Sequence, residues 1–112
     1  MASGTIQSIK LFPDYSNGQT VYNQSITSTT NVTAYTATND CYVLVRIKTS
    51  KQTAEGNTAF VFVNGFQVMG KVFTTVSIDD VCGFPLKTGD VITARSDSST
   101  KSFQLTINKF DL

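Results

Sequence analysis

The side chains that could carry chemistry in this 112-residue chain are eight carboxylates and two thiols, with no histidine at all. Without an imidazole there is no Ser–His or Cys–His nucleophile pair and no histidine-ligated zinc. Cys41 and Cys82 lie too far apart in sequence for a Cys-x-x-Cys ligand or redox pair. A pair of carboxylates could still serve a glycosidase. However, Asp14, Asp40, Asp79, Asp80, Asp90 and Asp97 fall where turns are predicted, and Asp at a turn bonds its own backbone. Asp79-Asp80 leaves a calcium site open, because hard cations take clustered carboxylates on loops. Against it, adjacent side chains diverge on a strand, and no further acid is close in sequence. Gly83 and Gly89 stand alone rather than in a phosphate-cradling loop. The expectation is therefore no enzyme, no catalytic or metal-ligating residue and no cofactor.

Charge points the same way. The nine basic residues are scattered from Lys10 to Lys109 and the formal net charge is +1, whereas nucleic-acid binders concentrate such residues on one face. No nucleic-acid partner is expected. No apolar run approaches the ~18 residues needed to cross a bilayer. The opening Met1-Ala2-Ser3-Gly4-Thr5 has no basic stretch followed by an apolar one, so no signal peptide and no membrane partner are expected. Synthesis in a cytoplasm follows, and with it free, reduced cysteines in preference to a Cys41–Cys82 disulfide. Asn23-Gln24-Ser25 and Asn31-Val32-Thr33 then match the glycosylation triplet by chance.

The elements that position these residues are strands. No segment longer than a turn shows apolar residues at helical spacing, while period-two alternation and β-branched density run throughout. Strands are expected at 5–11, 21–26, 31–37, 41–49, on either side of 64–65, at 74–78, 81–86, 91–95 and 102–110, with a turn at Asp79-Asp80. Cys41, Val43, Val45 and Ile47 share one face of the fourth of these, and Tyr42, Leu44 and Arg46 the other. Asn64-Gly65 between two apolar runs marks a two-residue hairpin, since both turn positions need positive φ. Lys87-Thr88-Gly89-Asp90 predicts a second hairpin turn, with Gly89 and Asp90 defining it. Residues 12–18, 50–57 and 96–100 read as loops. The strand count and spacing imply an all-β, antiparallel sandwich or barrel in a single domain. Residues 1–31 form an N-terminal arm with the first strands, a candidate attachment segment, and 32–112 the body.

From Tyr35-Thr36-Ala37, through Tyr42-Val43-Leu44-Val45 and the Val63-Asn64-Gly65 hairpin, to Phe84-Pro85-Leu86-Lys87-Thr88-Gly89-Asp90-Val91-Ile92, the order resembles the C1q/TNF-like jelly-roll domains of bacteriophage virion proteins, especially head fibres and tail-fibre tips. Cys41 stands where such domains often carry glycine. The resemblance covers about three-quarters of the chain. It implies a jelly-roll fold, a homotrimer and a place in the virion.

Two strands are apolar on both faces, although a sheet's solvated face should be polar. Tyr42 and Leu44 are surplus on one, Phe60 and Phe62 on the other. Loops or the N-terminal arm could cover them. The favoured expectation is a subunit interface lining a symmetry axis with all four. The function expected is a small trimeric head-fibre or capsid-decoration protein, with other virion proteins as partners. The alternative is a receptor-binding tip that meets a host-surface glycan through loops 50–57 and 96–100, with Tyr15 and Tyr22 as substitutes for the absent Trp.

Overall fold

Strand formation here follows from alternation. In Cys41–Thr49 the odd-numbered side chains are all buried and the even-numbered ones are half-buried or exposed, the period-two signature of a strand with one face on a core. The computed structural model describes residues 13–49, 58–72, 77–97 and 102–112. The expected strand at 5–11, the loop at 50–57, the strand positions 74–76 and positions 98–100 of the loop at 96–100 lie outside the described residues.

The strands are β1 Gln19–Ile26, β2 Val32–Thr36, β3 Cys41–Thr49, β4 Thr58–Val63, β5 Phe66–Val72, β6 Ile78–Leu86, β7 Val91–Ser96 and β8 Phe103–Asp111, preceded by a 3-10 turn at Tyr15–Asn17. They form two four-stranded antiparallel sheets, ordered β1-β8-β3-β6 and β2-β7-β4-β5. Every connection except the β4–β5 hairpin passes from one sheet to the other. The fold is an antiparallel β-sandwich, as the alternation implies. Of the N-terminal arm, residues 19–26 are built into the sandwich as β1 and give Ile26 to its core.

That core is one cluster drawn from the inner rows of both sheets. Cys41, Val43, Val45 and Ile47 on β3 and Leu105 and Ile107 on β8 face Ala59 and Val61 on β4 and Ile92 and Ala94 on β7, all 0% exposed. Burying such a side chain is worth roughly 1.5–3 kcal/mol for a Val, Leu or Ile. Two polar residues at the ends of inner rows are also buried. Thr49 accepts the Ile78 N–H at 3.1 Å through Oγ1, and the Ser96 N–H donates to the Ser28 carbonyl at 2.8 Å.

Both cysteines are free, Cys41 buried and Cys82 half-buried. Cys41 pairs with Leu86 and Cys82 with Val45, which separates the thiols by four residues along the ladder, about 13 Å and beyond bridging reach. Burial pushes the Cys41 thiol pKa up, away from reactivity.

Two expectations about turns need correction. Asp79-Asp80 is not a turn. Both residues lie inside β6, paired with Lys48 and Ile47 across the ladder. Carboxylates are poor strand formers, and here cations on neighbouring strands hold them. Lys87–Asp90 is a tight turn, with the Asp90 N–H on the Lys87 carbonyl at 3.0 Å and Gly89 at φ +93°. It does not close a hairpin, because β6 and β7 belong to opposite sheets. Turn chemistry specifies local backbone, not whether the two flanking strands pair.

The β4–β5 connection is a hairpin. Val63 pairs with Phe66, leaving Asn64 at φ 51° and Gly65 at φ 82° as a two-residue turn. Asn64 also ties this turn to the β6–β7 turn. Its backbone N–H donates to the Val91 carbonyl at 2.9 Å, its carboxamide oxygen accepts the Val91 N–H at 2.9 Å, and its Nδ2 donates to Asp90 at 3.0 Å.

The double variant Asn64→Val/Gly65→Val is expected to lose about 3–5 kcal/mol, because each L-residue held in the left-handed region costs ~1–2 kcal/mol and the Asn64 side-chain hydrogen bonds, worth about 1 kcal/mol, go as well. Asn64→Gly keeps the backbone free and is expected to lose only about 1 kcal/mol, from the side-chain hydrogen bonds. Urea unfolding midpoints measure both; an unchanged midpoint for the double variant contradicts the turn assignment.

Candidate functional site

The candidate residues lie on the outer faces of the two sheets. On β3, Tyr42, Leu44, Arg46 and Lys48 project from the outer face of the β1-β8-β3-β6 sheet. On β4, Phe60 and Phe62 project from the outer face of the β2-β7-β4-β5 sheet, since Ala59 and Val61 take the core side. The four residues expected to line one axis therefore lie on opposite sides of a sandwich whose sheets stack about 10 Å apart. One axis can take one pair only. Alternation along a strand gives the face of a side chain, but not which sheet the strand joins.

The two pairs are covered differently. The Phe60 and Phe62 rings stack with centroids 6.1 Å apart, and the Arg95 guanidinium lies 4.3 Å from the Phe60 centroid and 5.7 Å from that of Phe62. Asp97 holds Arg95 there at 3.1 Å. This cation–π cap shields the rings with the chain's own residues. Tyr42 and Leu44 lie over Gly83, where a Cβ would stand 2.6 Å from the Tyr42 hydroxyl and 2.9 Å from Leu44 Cδ2. Beside them β6 turns Val81 and Pro85 outward, and Val81 is 51% exposed. Tyr42, Leu44, Val81 and Pro85 thus form a continuous apolar patch across β3 and β6. The sequence reading missed Val81 because it placed a turn immediately before it. Phe110 on β8, the ladder partner of Tyr42, turns to the same outer face; other outward positions on β1 and β8 are polar: Thr20 bonds Asn108 at 2.8 Å, and Gln104 bonds Asn23 at 2.5 Å.

The edges carry charge and further exposed apolar groups. Phe66, at the β4–β5 turn, is 75% exposed and Val72, at the end of β5, 55%. Lys71 on β5 meets Asp80 on β6 at 2.7 Å, an ion pair across the mouth between the two sheets. A cleft of about 320 Å³ there is lined by Val68, Met69, Gly70, Lys71, Asp80, Val81 and Cys82. Asp79 makes a two-pronged pair with Arg46 on the outer face, at 2.7 and 2.5 Å. Each of the adjacent carboxylates thus has its own cation. Among the described residues no group of three or more His, Cys, Asp or Glu converges as a metal site.

The turn-defining residues come together at one end of the sandwich. Beyond the Asn64–Asp90 link, Asp90 accepts the Lys87 N–H at 2.9 Å, and Asp40 accepts the Thr88 N–H at 2.9 Å. Asn39 bonds Asp111 at 2.7 Å, tying the β2–β3 turn to the end of β8. These bonds hold the carboxyls below the usual range: the Thr88 backbone acts on Asp40, the Asn64 amide on Asp90 and the Asn39 amide on Asp111. The Arg46 and Lys71 bonds do the same for Asp79 and Asp80.

No protein-family model matches this chain, and no curated protein does. Two solved structures, each of a pentameric capsid protein isolated from metagenomic phage sequences, are similar to it. One superimposes with a TM-score of 0.51 at 17% identity, over 98% of this chain and 72% of that one. The other gives a TM-score of 0.49 at 17% identity, over 98% and 75%. At this identity the first likeness is one of fold. No helix among the described residues is long and apolar enough to cross a membrane.

The carboxyl shifts set the acid response. With folded values below the unfolded ~3.9, the unfolded chain binds more protons as pH falls. The contribution of Asp40, Asp79, Asp80, Asp90 and Asp111 is present above pH ~4 and is lost as pH drops through their folded values. The urea midpoint is expected to hold from pH 7 to 5 and to fall at pH 3; a rise at pH 3 contradicts the hydrogen-bond assignments.

Proposed function

We propose that this chain is a non-enzymatic structural protein of a bacteriophage particle, a jelly roll that works as a closed ring of identical copies on the capsid as a head-fibre or decoration protein. The observation that carries the reading is the outer face of β3 and β6. A lone sandwich keeps that face polar, yet Tyr42, Leu44, Val81 and Pro85 present a continuous apolar patch there. Cyclic symmetry hides such a patch without leaving an open end that would grow into fibres. The strand orders β1-β8-β3-β6 and β2-β7-β4-β5 support the jelly roll, an eight-stranded double sheet whose connections cross between layers. The fold shared with a pentameric phage capsid protein supports the setting.

The C1q/TNF-like resemblance implies three copies, and the fold neighbour assembles as five. We take three as the reading for this chain. Residues 1–31 serve as the attachment segment to other virion proteins.

Multi-angle light scattering of the purified chain tests the assembly. The expected mass is three times the 12.2 kDa of one chain. Five times points to the neighbour's arrangement, and a single-chain mass at micromolar concentration overturns the ring. Leu44→Asp and Val81→Asp are expected to dissociate the oligomer, since each removes part of the roughly 1.5–3 kcal/mol that full burial of such a side chain is worth and adds a charge to be desolvated. Phe62→Asp, beneath the Arg95 cap on the opposite face, is expected to leave the mass unchanged.

A further inference from the structure

Among the described residues each sheet ends in two strands, β1 and β6 in one layer and β2 and β5 in the other. An end strand offers a row of backbone groups to any other strand that meets it. Three of the four are broken at one point. On β1, Thr20 and Tyr22 pair with the successive residues Asn108 and Ile107, which leaves Val21 extra. On β2, Thr33 and Tyr35 pair with Thr93 and Ile92, which leaves Ala34 extra. On β5, Met69 and Gln67 pair with Val61 and Phe62, which leaves Val68 extra. Each extra residue lies on the end strand and not on its inner neighbour. A bulge there twists the edge and puts it out of step with an incoming strand.

Strand β6 has no such break, and its residues pair one for one with Cys41–Thr49. Side chains close it instead. The Ile78 N–H points at β3, where Thr49 Oγ1 accepts it at 3.1 Å. Backbone N–H groups alternate along a strand, so those of Asp80, Cys82, Phe84 and Leu86 also point at β3, and those of Asp79, Val81 and Gly83 point away. Position 85 falls in the outward set, and proline has no N–H to offer. The Asp80 carboxylate accepts the Val81 N–H, and Lys71 reaches across from β5 to the same carboxylate at 2.7 Å. We infer that Pro85 and the Lys71–Asp80 pair shut a latent strand-addition site on β6, so that copies of this chain meet through side-chain faces and not by joining their sheets. The closure belongs to the single chain and holds whether or not the ring forms.

Opening the edge tests this. Asp80→Thr with Pro85→Val restores an outward N–H, releases Lys71 and Val81, and supplies β-branched residues, while position 85 stays apolar for the ring. The folded double variant is expected to grow, between micromolar and millimolar concentration, into assemblies well beyond the wild-type mass by light scattering. In them, exchange of the Asp79, Val81 and Gly83 amides is expected to slow about tenfold or more, with the Val43, Val45 and Ile47 amides as protected as in the wild type. The wild-type chain is expected to keep one discrete mass over the same range. Asp79→Ser, which breaks the Arg46 pair on the outer face and leaves the edge shut, is expected to do the same. If the double variant does not fold, Pro85→Val alone carries the test with the same readouts. A folded variant that keeps the wild-type mass at millimolar concentration overturns the proposal. Growth accompanied by lost protection of the β3 amides marks unfolding and overturns it too. Slow Gly83 exchange in the wild-type assembly that becomes fast in Leu44→Asp shows that β6 edges pair natively, a third contradiction. A single-chain wild-type mass overturns the ring and leaves this closure standing.

Discussion

The structure rests on the mutual burial of two rows of side chains, one from each sheet. Strands β3 and β8 in one layer and β4 and β7 in the other turn Val43, Val45, Ile47, Leu105, Ile107, Val61 and Ile92 inward until none is exposed. Period-two geometry then leaves the chain no choice about the alternate positions. They must face outward, whatever they are. On β8 they include Gln104, Thr106 and Asn108, which suit water and bond to β1, before Phe110 at its end beside Tyr42. On β3 and β4 they include Tyr42, Leu44, Phe60 and Phe62, which do not suit it. The core therefore creates the surface problem that the rest of the molecule must solve.

The chain solves it twice by different means. On one face a single arginine lies across both phenylalanine rings, and Asp97 holds it there. On the other, a glycine makes room for Tyr42 and Leu44 to lie flat, but Val81 and Pro85 beside them extend the apolar area. An intramolecular cap finishes the first face; the second keeps its apolar patch without such a cap. The asymmetry between the faces, more than the apolar content of either, separates a capped surface from an uncapped one.

Much of this was legible in the residues. Cys41–Thr49 reads as a strand from its alternation alone, and Asn64-Gly65 announces its hairpin through the backbone angles it tolerates. What the residues did not carry was partnership at a distance. Lys87–Asp90 has the composition of a hairpin turn yet joins opposite sheets, because its flanking strands find better neighbours elsewhere. Asp79 and Asp80 read as a turn, since nothing nearby in sequence shows that Arg46 and Lys71 wait across the gaps. Phe60 and Phe62 look equivalent to Tyr42 and Leu44 in the sequence until the sheet order divides them. The reach from Asn64 to Asp90 and Val91 was hidden for the same reason.

The pairing of β1 with β8 has a consequence for how the protein is made. Thr20 bonds Asn108 across a separation of 88 residues, and the ladder runs from Gln19 opposite Lys109 to Ile26 opposite Phe103. Strand β1 has no ladder partner until β8 has been made. The inner row of β3 stays uncovered on the β8 side for the same interval. Such non-local closure favours slow, all-at-once folding over strand-by-strand growth, and an unfinished chain presents open edges to its neighbours. Copies emerging side by side on one message would meet in that state, when correct closure and mistaken exchange of strands compete most evenly.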